Sequence, residues 1–163
     1  DTFTVPEAYI PPIGARIMSL QEPNKKMSKS DENVNAYISM ADTKDVIIRK
    51  LRRAVTDSGS GIVYSQDKPG ISNLIDIYAA CREITPAQAE KEFAGSGYGE
   101  FKEAVGCAVA ELLAPIQARQ KELLADKAYL EGVFRAGAEK AAYVANRTLW
   151  KAQKRMGLAP RKL

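Results

Sequence analysis

The chain has 163 residues, 45% apolar and 27% charged, and its 24 lysines and arginines exceed its 20 acids to give a net charge of +4. That length and composition suit one globular domain, or one domain carrying part of another, and no apolar run approaches the roughly 20 residues needed to cross a bilayer. The chain contains no histidine, which excludes Ser-His-Asp and Cys-His nucleophiles, an imidazole general base and any His-ligated zinc site.

Residues 1–14 are proline-rich and aperiodic, so they read as an extended loop. The chain starts on Asp1, with neither the basic start nor the apolar block of a signal peptide, as a segment of a longer protein would. ARIMSL (15–20) has the apolar run of a buried strand, and QEPNKKMSKSDEN (21–33) follows as a polar loop.

From about Asp42 the period becomes helical. Asp42 or Thr43 caps a helix reaching Ala54, with Val46, Ile47, Leu51 and Ala54 as its apolar stripe. TDSGSG (56–61) and DKPG (67–70) read as turns around a short extended IVYS (62–65). ISNLIDIYAAC (71–81) reads as a buried helix started by Ser72. Thr85 and Pro86 supply a cap and a first-turn proline for a helix that stops at Gly95. A long amphipathic helix over 98–124 is predicted to kink at Pro115. The stretches 127–137 and 138–156 complete the helical series, with Gly157 as its C-terminal cap. Cys81 and Cys107 lie in helical apolar patterns and read as buried thiols rather than a disulfide.

The charge is unevenly spread. From Lys140 onward seven basic residues (Lys140, Arg147, Lys151, Lys154, Arg155, Arg161, Lys162) meet no acid, and a second cluster comprises Arg49, Lys50, Arg52 and Arg53. Both suit a polyanion, and both also suit a solvated helix face. Trp150 reads first as a packing residue on an amphipathic helix, as do Tyr143 and Leu149, with base stacking as the alternative.

The loop sets Lys26, Met27, Ser28, Lys29 and Ser30 in a row after the apolar run. Ammonium groups act as mobile charges for phosphate, and hydroxyls and backbone amides add directed donors. Neither a Walker A spacing nor GxGxxG is present. The plain alternative is a solvated lysine loop. Asp31 and Glu32 show no metal-ligand spacing and read as neutralising their lysine neighbours.

KMSKS is the second signature of class I aminoacyl-tRNA synthetases. With GARIMSL before it and AVTDS (54–58), KPGISNLIDIY (68–78), YGEFK (98–102), PIQAR (115–119) and GAEKA (137–141) behind, the chain resembles the C-terminal half of bacterial-type tryptophanyl-tRNA synthetases. The resemblance covers essentially the whole chain. It implies a mainly α fold: a strand-and-loop end of a Rossmann-like catalytic domain over 1–35, then an all-α anticodon-binding domain over 36–163. It implies Lys26 and Lys29 as the catalytic lysines. Ile17, Lys26, Met27, Ser28, Lys29 and Ser30 would contact ATP, with Met27 anchoring the loop and the Ile17 main chain meeting adenine. Lys140, Arg147, Lys151, Lys154 and Arg155 would meet tRNA(Trp). ATP would be the substrate, accompanied by Mg²⁺ with no protein-held metal, and tryptophan would bind in the absent half.

The whole enzyme would be a cytoplasmic homodimer without a membrane. The family's histidine-containing first signature cannot occur here, so this segment alone should not make tryptophanyl-adenylate. A helical RNA-binding or protein-interaction module without catalysis is the competing reading.

Overall fold

A computed structural model describes residues 3–10, 14 and 16–158. Among these residues there are five helices and no strand. The chain divides into two compact units, one of Ile10–Ala118 and one of Asp1–Tyr9 with Arg119–Leu163.

Helix α1, Lys44–Arg52, follows an extended Thr43 whose side chain makes no cap bond. Asp42 is diverted: its Oδ2 accepts from the Ser39 N–H at 2.9 Å and from Lys50 Nζ at 2.7 Å. The helix stops at Arg52, short of the expected Ala54, where the Ala54 N–H bonds to the Leu51 carbonyl three residues back at 3.1 Å and tightens the end. Ile47 and Leu51 are buried, Val46 half-buried.

Helix α2, Pro69–Arg82, starts earlier than Ser72. Pro69 takes the first-turn position, where a missing N–H costs nothing. Ser72 serves instead as a clamp on the preceding turn, its Oγ donating to the Ser65 carbonyl at 2.8 Å and accepting the Ser65 N–H at 3.0 Å. The helix is buried on most of its surface, through Ile71, Leu74, Ile75, Ile77, Tyr78 and Ala79, which makes it the centre of its unit.

Helix α3, Pro86–Glu92, opens with a reciprocal capping box between Thr85 and Gln88. Residues 62–65 find no strand partner, and the Tyr64 N–H donates to Glu90 Oε1 at 2.6 Å.

Helix α4, Tyr98–Ala125, runs through Pro115. Its buried residues (Phe101, Val105, Gly106, Ala108, Val109, Ala110, Leu113) all precede that proline. Where α1 and α4 cross, a Cβ on Gly106 would lie 2.9 Å from the Ile48 Cα. The backbones meet more closely there than any other residue permits. Tyr78, Phe93 and Phe101 form an edge-to-face trio with centroids 4.9–6.4 Å apart, joining α2 and α4 to the end of α3.

The stretches 127–137 and 138–156 form one helix, α5, Lys127–Arg155, with Gly132 and Gly137 inside it. Asp126 caps its start through the Tyr129 N–H at 2.9 Å. Gly157, at φ +73°, ends it: the Gly157 N–H reaches the Lys154 carbonyl and the Leu158 N–H the Gln153 carbonyl. That pair of bonds is a Schellman motif. No α5 residue is fully buried. Cys81 and Cys107 are unpaired and half-buried rather than fully buried, and burial pushes the Cys81 thiol pKa up.

Lys50 departs from its sequence reading. It is 5% exposed, paired with Asp42, bonded to the Tyr37 carbonyl at 3.0 Å and set over the Tyr37 ring. Its ammonium is therefore turned into the protein and not out toward a polyanion. Lys50→Met is expected to cost about 2 kcal/mol in urea unfolding, since it strands a partly covered carboxylate. Adding Asp42→Asn should return part of that loss, and no recovery in the double variant would mean the pair matters little.

Candidate nucleotide-binding loop and basic helix face

ARIMSL was expected to form a strand. Ala15 lies outside the described residues, and the rest shows a single antiparallel bridge, Met18 to Lys26. A strand needs ladder partners on its edges, and among the described residues the only bridge is to the short turn that follows. The turn that supplies it runs Glu22-Pro23-Asn24-Lys25, closed by the Lys25 N–H on the Glu22 carbonyl at 2.8 Å, with proline at its second position. The Ser19 N–H then donates to the Lys25 carbonyl at 2.8 Å, and the Met27 N–H to the Ile17 carbonyl at 3.0 Å.

The pleat sorts the loop side chains. Neighbouring residues point to opposite faces, so Met27 turns inward and packs against the core cluster while Lys26 is exposed. Lys29, Ser28 and Ser30 are exposed as well. Lys25 is paired with Glu22, whose carboxylate bonds to the ammonium and raises the Lys25 pKa. Lys26 and Lys29 make no ion pair among the described residues. Of the acids beside them, Asp31 acts through space on Lys25 and adds to the rise in its pKa. Asp31 Oδ1 accepts the Asn33 N–H at 2.8 Å, and neither Asp31 nor Glu32 pairs with a lysine among these residues. The Ser28 Oγ accepts the Ser30 N–H at 3.2 Å, and the Ser28 carbonyl accepts the Asp31 N–H. These local turns give the KMSKS stretch a defined backbone while leaving two ammonium groups facing solvent. No cluster of three metal-ligating side chains occurs among the described residues.

The segment bearing the loop is tied to the helices. The Leu20 N–H donates to the Ala36 carbonyl at 2.9 Å, and the Val55 N–H to the Leu20 carbonyl at 2.7 Å. Asn73 of α2, 4% exposed, accepts the Met18 N–H at 2.8 Å and donates to the Met18 carbonyl at 2.9 Å. The sequence reading passed over Asn73. Its one signal is an amide inside the apolar run ISNLIDI, since a buried polar group requires partners.

A second missed cluster holds residues 56–61. The Tyr98 hydroxyl lies 2.9 Å from both Asp57 carboxylate oxygens, and Lys68 Nζ reaches that hydroxyl at 3.1 Å and the Gly61 carbonyl at 3.0 Å. Desolvation pushes the Asp57 pKa up, but the Gly59 N–H, the Tyr98 hydroxyl and Lys68 outweigh it and hold it below the usual value. Every donor is used within the cluster, so it reads as a structural clasp.

On α5, Lys140, Arg147, Lys151, Lys154 and Arg155 are all exposed. Helical geometry places positions i, i+7, i+11, i+14 and i+15 on one face. Trp150, read from sequence as a packing residue, is 51% exposed, with Lys154 Nζ 5.3 Å from its ring centroid. Tyr143 is 72% exposed and Leu149 53%. Arg161 and Lys162 lie outside the described residues. In the other basic cluster, Arg52 pairs with Glu103 at 2.8 Å, while Arg49 and Arg53 are exposed. No helix among the described residues is long and apolar enough to cross a membrane.

A lysine-flanked methionine is thus anchored to a helical core and leaves two ammonium groups toward solvent. The family described as tRNA synthetases class I (W and Y) matches residues 1–114, and the chain belongs to that family. It is 51% identical over 160 residues to the tryptophan–tRNA ligase of Clostridium perfringens, covering 98% of this chain and 48% of the relative. The tryptophan–tRNA ligase of Enterococcus faecalis is 48% identical over 159 residues, covering 97% of this chain and 47% of the relative. Among solved structures, tryptophanyl-tRNA synthetase from Mycoplasma pneumoniae superposes with a TM-score of 0.78 at 31% identity, over 89% of this chain and 44% of the other. The chain thus spans about half the length of the relatives it matches.

Proposed function

We propose that this chain is the C-terminal half of a tryptophan–tRNA ligase, supplying the ATP-closing loop and the helical tRNA-binding part. By role, residues 1–35 belong to the nucleotide-handling domain and 36–163 to the RNA-handling one. The observation that carries the reading is the state of the loop lysines: Lys25 is spent on Glu22, while Lys26 and Lys29 are exposed and unpaired among the described residues, flanking an anchored Met27.

In the reaction, a tryptophan carboxylate oxygen attacks the α-phosphorus of ATP. The bond from that phosphorus to the α–β bridging oxygen breaks, and pyrophosphate leaves with the electron pair. Negative charge grows on the leaving group, so ammonium groups that tighten on it stabilise the transition state more than bound ATP. Lys26 and Lys29 take that role. Ser28 and Ser30 add hydroxyls and close backbone approach, and the Ile17 main chain meets adenine. Mg²⁺ arrives on the triphosphate.

Lys140, Arg147, Lys151, Lys154 and Arg155 present one charged face to tRNA(Trp) phosphates, and Trp150 and Tyr143 beside it are available for stacking. The complete protein would act in the cytoplasm as a homodimer.

Alone, the chain lacks the histidine signature and the tryptophan pocket. Supplying the N-terminal half, in trans or as the full-length protein, should produce tryptophan-dependent ATP–pyrophosphate exchange that neither half shows alone. A complex that forms yet stays silent, with tRNA still bound, would replace this reading with the stand-alone RNA-binding module.

A further inference from the structure

We propose that Asn73 is the positioning residue that sets the register of the KMSKS loop, through Met18, for the chemistry proposed above. The proposal rests on that reading of the loop. Its physical basis is the alternation of backbone bonds along an extended chain. Ile17 and Ser19 direct their bonding groups toward Lys25 and Met27. Met18, between them, therefore turns its own N–H and carbonyl toward the opposite edge, and there it meets Asn73, at 2.8 and 2.9 Å. A side-chain amide carries the same donor and acceptor as a peptide group. Asn73 thus stands where the next strand of a sheet would pair, and residues 17–19 act as a one-residue ladder with a partner on each edge.

The amide is itself held rigidly. It is 4% exposed, and its neighbours Ile71, Leu74 and Ile75 on α2 are at most 1% exposed. The linkage runs from the core of α2 through Asn73 and Met18 to Lys26 and Met27, and on to Lys29. Leu20 has separate anchors at Ala36 and Val55, and Gln21 reaches the Arg53 carbonyl at 3.0 Å. Losing Asn73 should therefore loosen the Ile17–Ser19 and Lys25–Met27 pairing without releasing the rest of the segment. Asn73 touches neither ammonium, so its effect must pass through the loop.

Asn73→Asp is the sharp probe. It keeps an acceptor for the Met18 N–H but sets a carboxylate oxygen against the Met18 carbonyl. In the full-length ligase it should slow single-turnover adenylate formation about tenfold, with tryptophan affinity unchanged. In a Lys26→Ala/Lys29→Ala background the same change should cost less than about twofold, because there is no longer a charge to misplace. Hydrogen exchange at the Ser19 and Met27 amides should rise relative to Leu20 and Val55.

An equal slowing in both backgrounds, or unchanged exchange at Ser19 and Met27, overturns the proposal and reduces Asn73 to a packing residue. If the double lysine variant itself reacts at the wild-type rate, the reading of the loop fails, and the positioning role falls with it. Should Asn73→Asp fold poorly, Asn73→Ser, which retains at most one of the two bonds, takes the same readouts.

Discussion

Alanine at Lys26 or Lys29 in the full-length ligase is expected to slow tryptophan-dependent adenylate formation about 10²–10³-fold for each replacement, while tryptophan affinity changes by less than about threefold. The asymmetry follows from where the charges act. An ammonium that strengthens its contact only as pyrophosphate departs contributes to the rate rather than to ground-state binding. In the proposed role the ammonium acts on the pyrophosphate and not on tryptophan, so tryptophan affinity has no reason to move. The loop supplies its own control in Lys25, which is exposed and already paired with Glu22. An exposed ion pair of that kind contributes little, so Lys25→Ala should slow activation by less than about threefold. Single-turnover measurements on the three variants separate the cases. Equal losses at all three positions would show that only the summed charge of the loop matters, and an unchanged rate at Lys26 and Lys29 would remove them from catalysis.

The features readable from sequence were those whose physical cause is local. Thr85 and Pro86 adjoin and by themselves place the cap and the first-turn proline of α3. Gly157 ends α5 because a left-handed residue is needed where the helix stops. The loop motif is a contiguous string, so it too was legible. What escaped depends on residues far apart. Asn73 meets Met18 from 55 positions away, and nothing in ISNLIDI names its partner. Lys50 sits in a basic run that reads as a solvated face, yet Asp42 and the Tyr37 carbonyl draw it under the surface. The strand expected from ARIMSL is the converse case. Its apolar pattern matches a strand, but a ladder is made by neighbours, and among the described residues these are one bridge, one amide and the scattered bonds of Leu20 to Ala36 and Val55. On α5, periodicity assigned Trp150 to packing, whereas the side chain is half exposed beneath Lys154.

Gly70→Ala tests how tightly α2 is seated against the segment that carries the loop. Gly70 is buried in the first turn of α2, and a Cβ there would lie 2.3 Å from the Val55 carbonyl oxygen and 3.1 Å from the Thr56 Cα. Both obstacles are backbone, so no rotamer change relieves them; either α2 or residues 55–56 must move. Movement of Val55 strains its 2.7 Å bond to the Leu20 carbonyl, and movement of α2 disturbs the bonds from Asn73 to Met18. Overpacking of this kind costs about 3 kcal/mol, which for a unit of this size lowers Tm by roughly 10–20 °C. Gly132 provides the contrast. It lies inside α5 with open space around its Cα, so Gly132→Ala meets no obstacle and gains about 1 kcal/mol of helix propensity. Thermal unfolding of the two variants beside the parent chain should therefore move in opposite directions. A Gly70→Ala protein as stable as its parent would mean that the approach of α2 to Val55 is loose, and the rigid path from α2 to the lysine loop would lose its foundation.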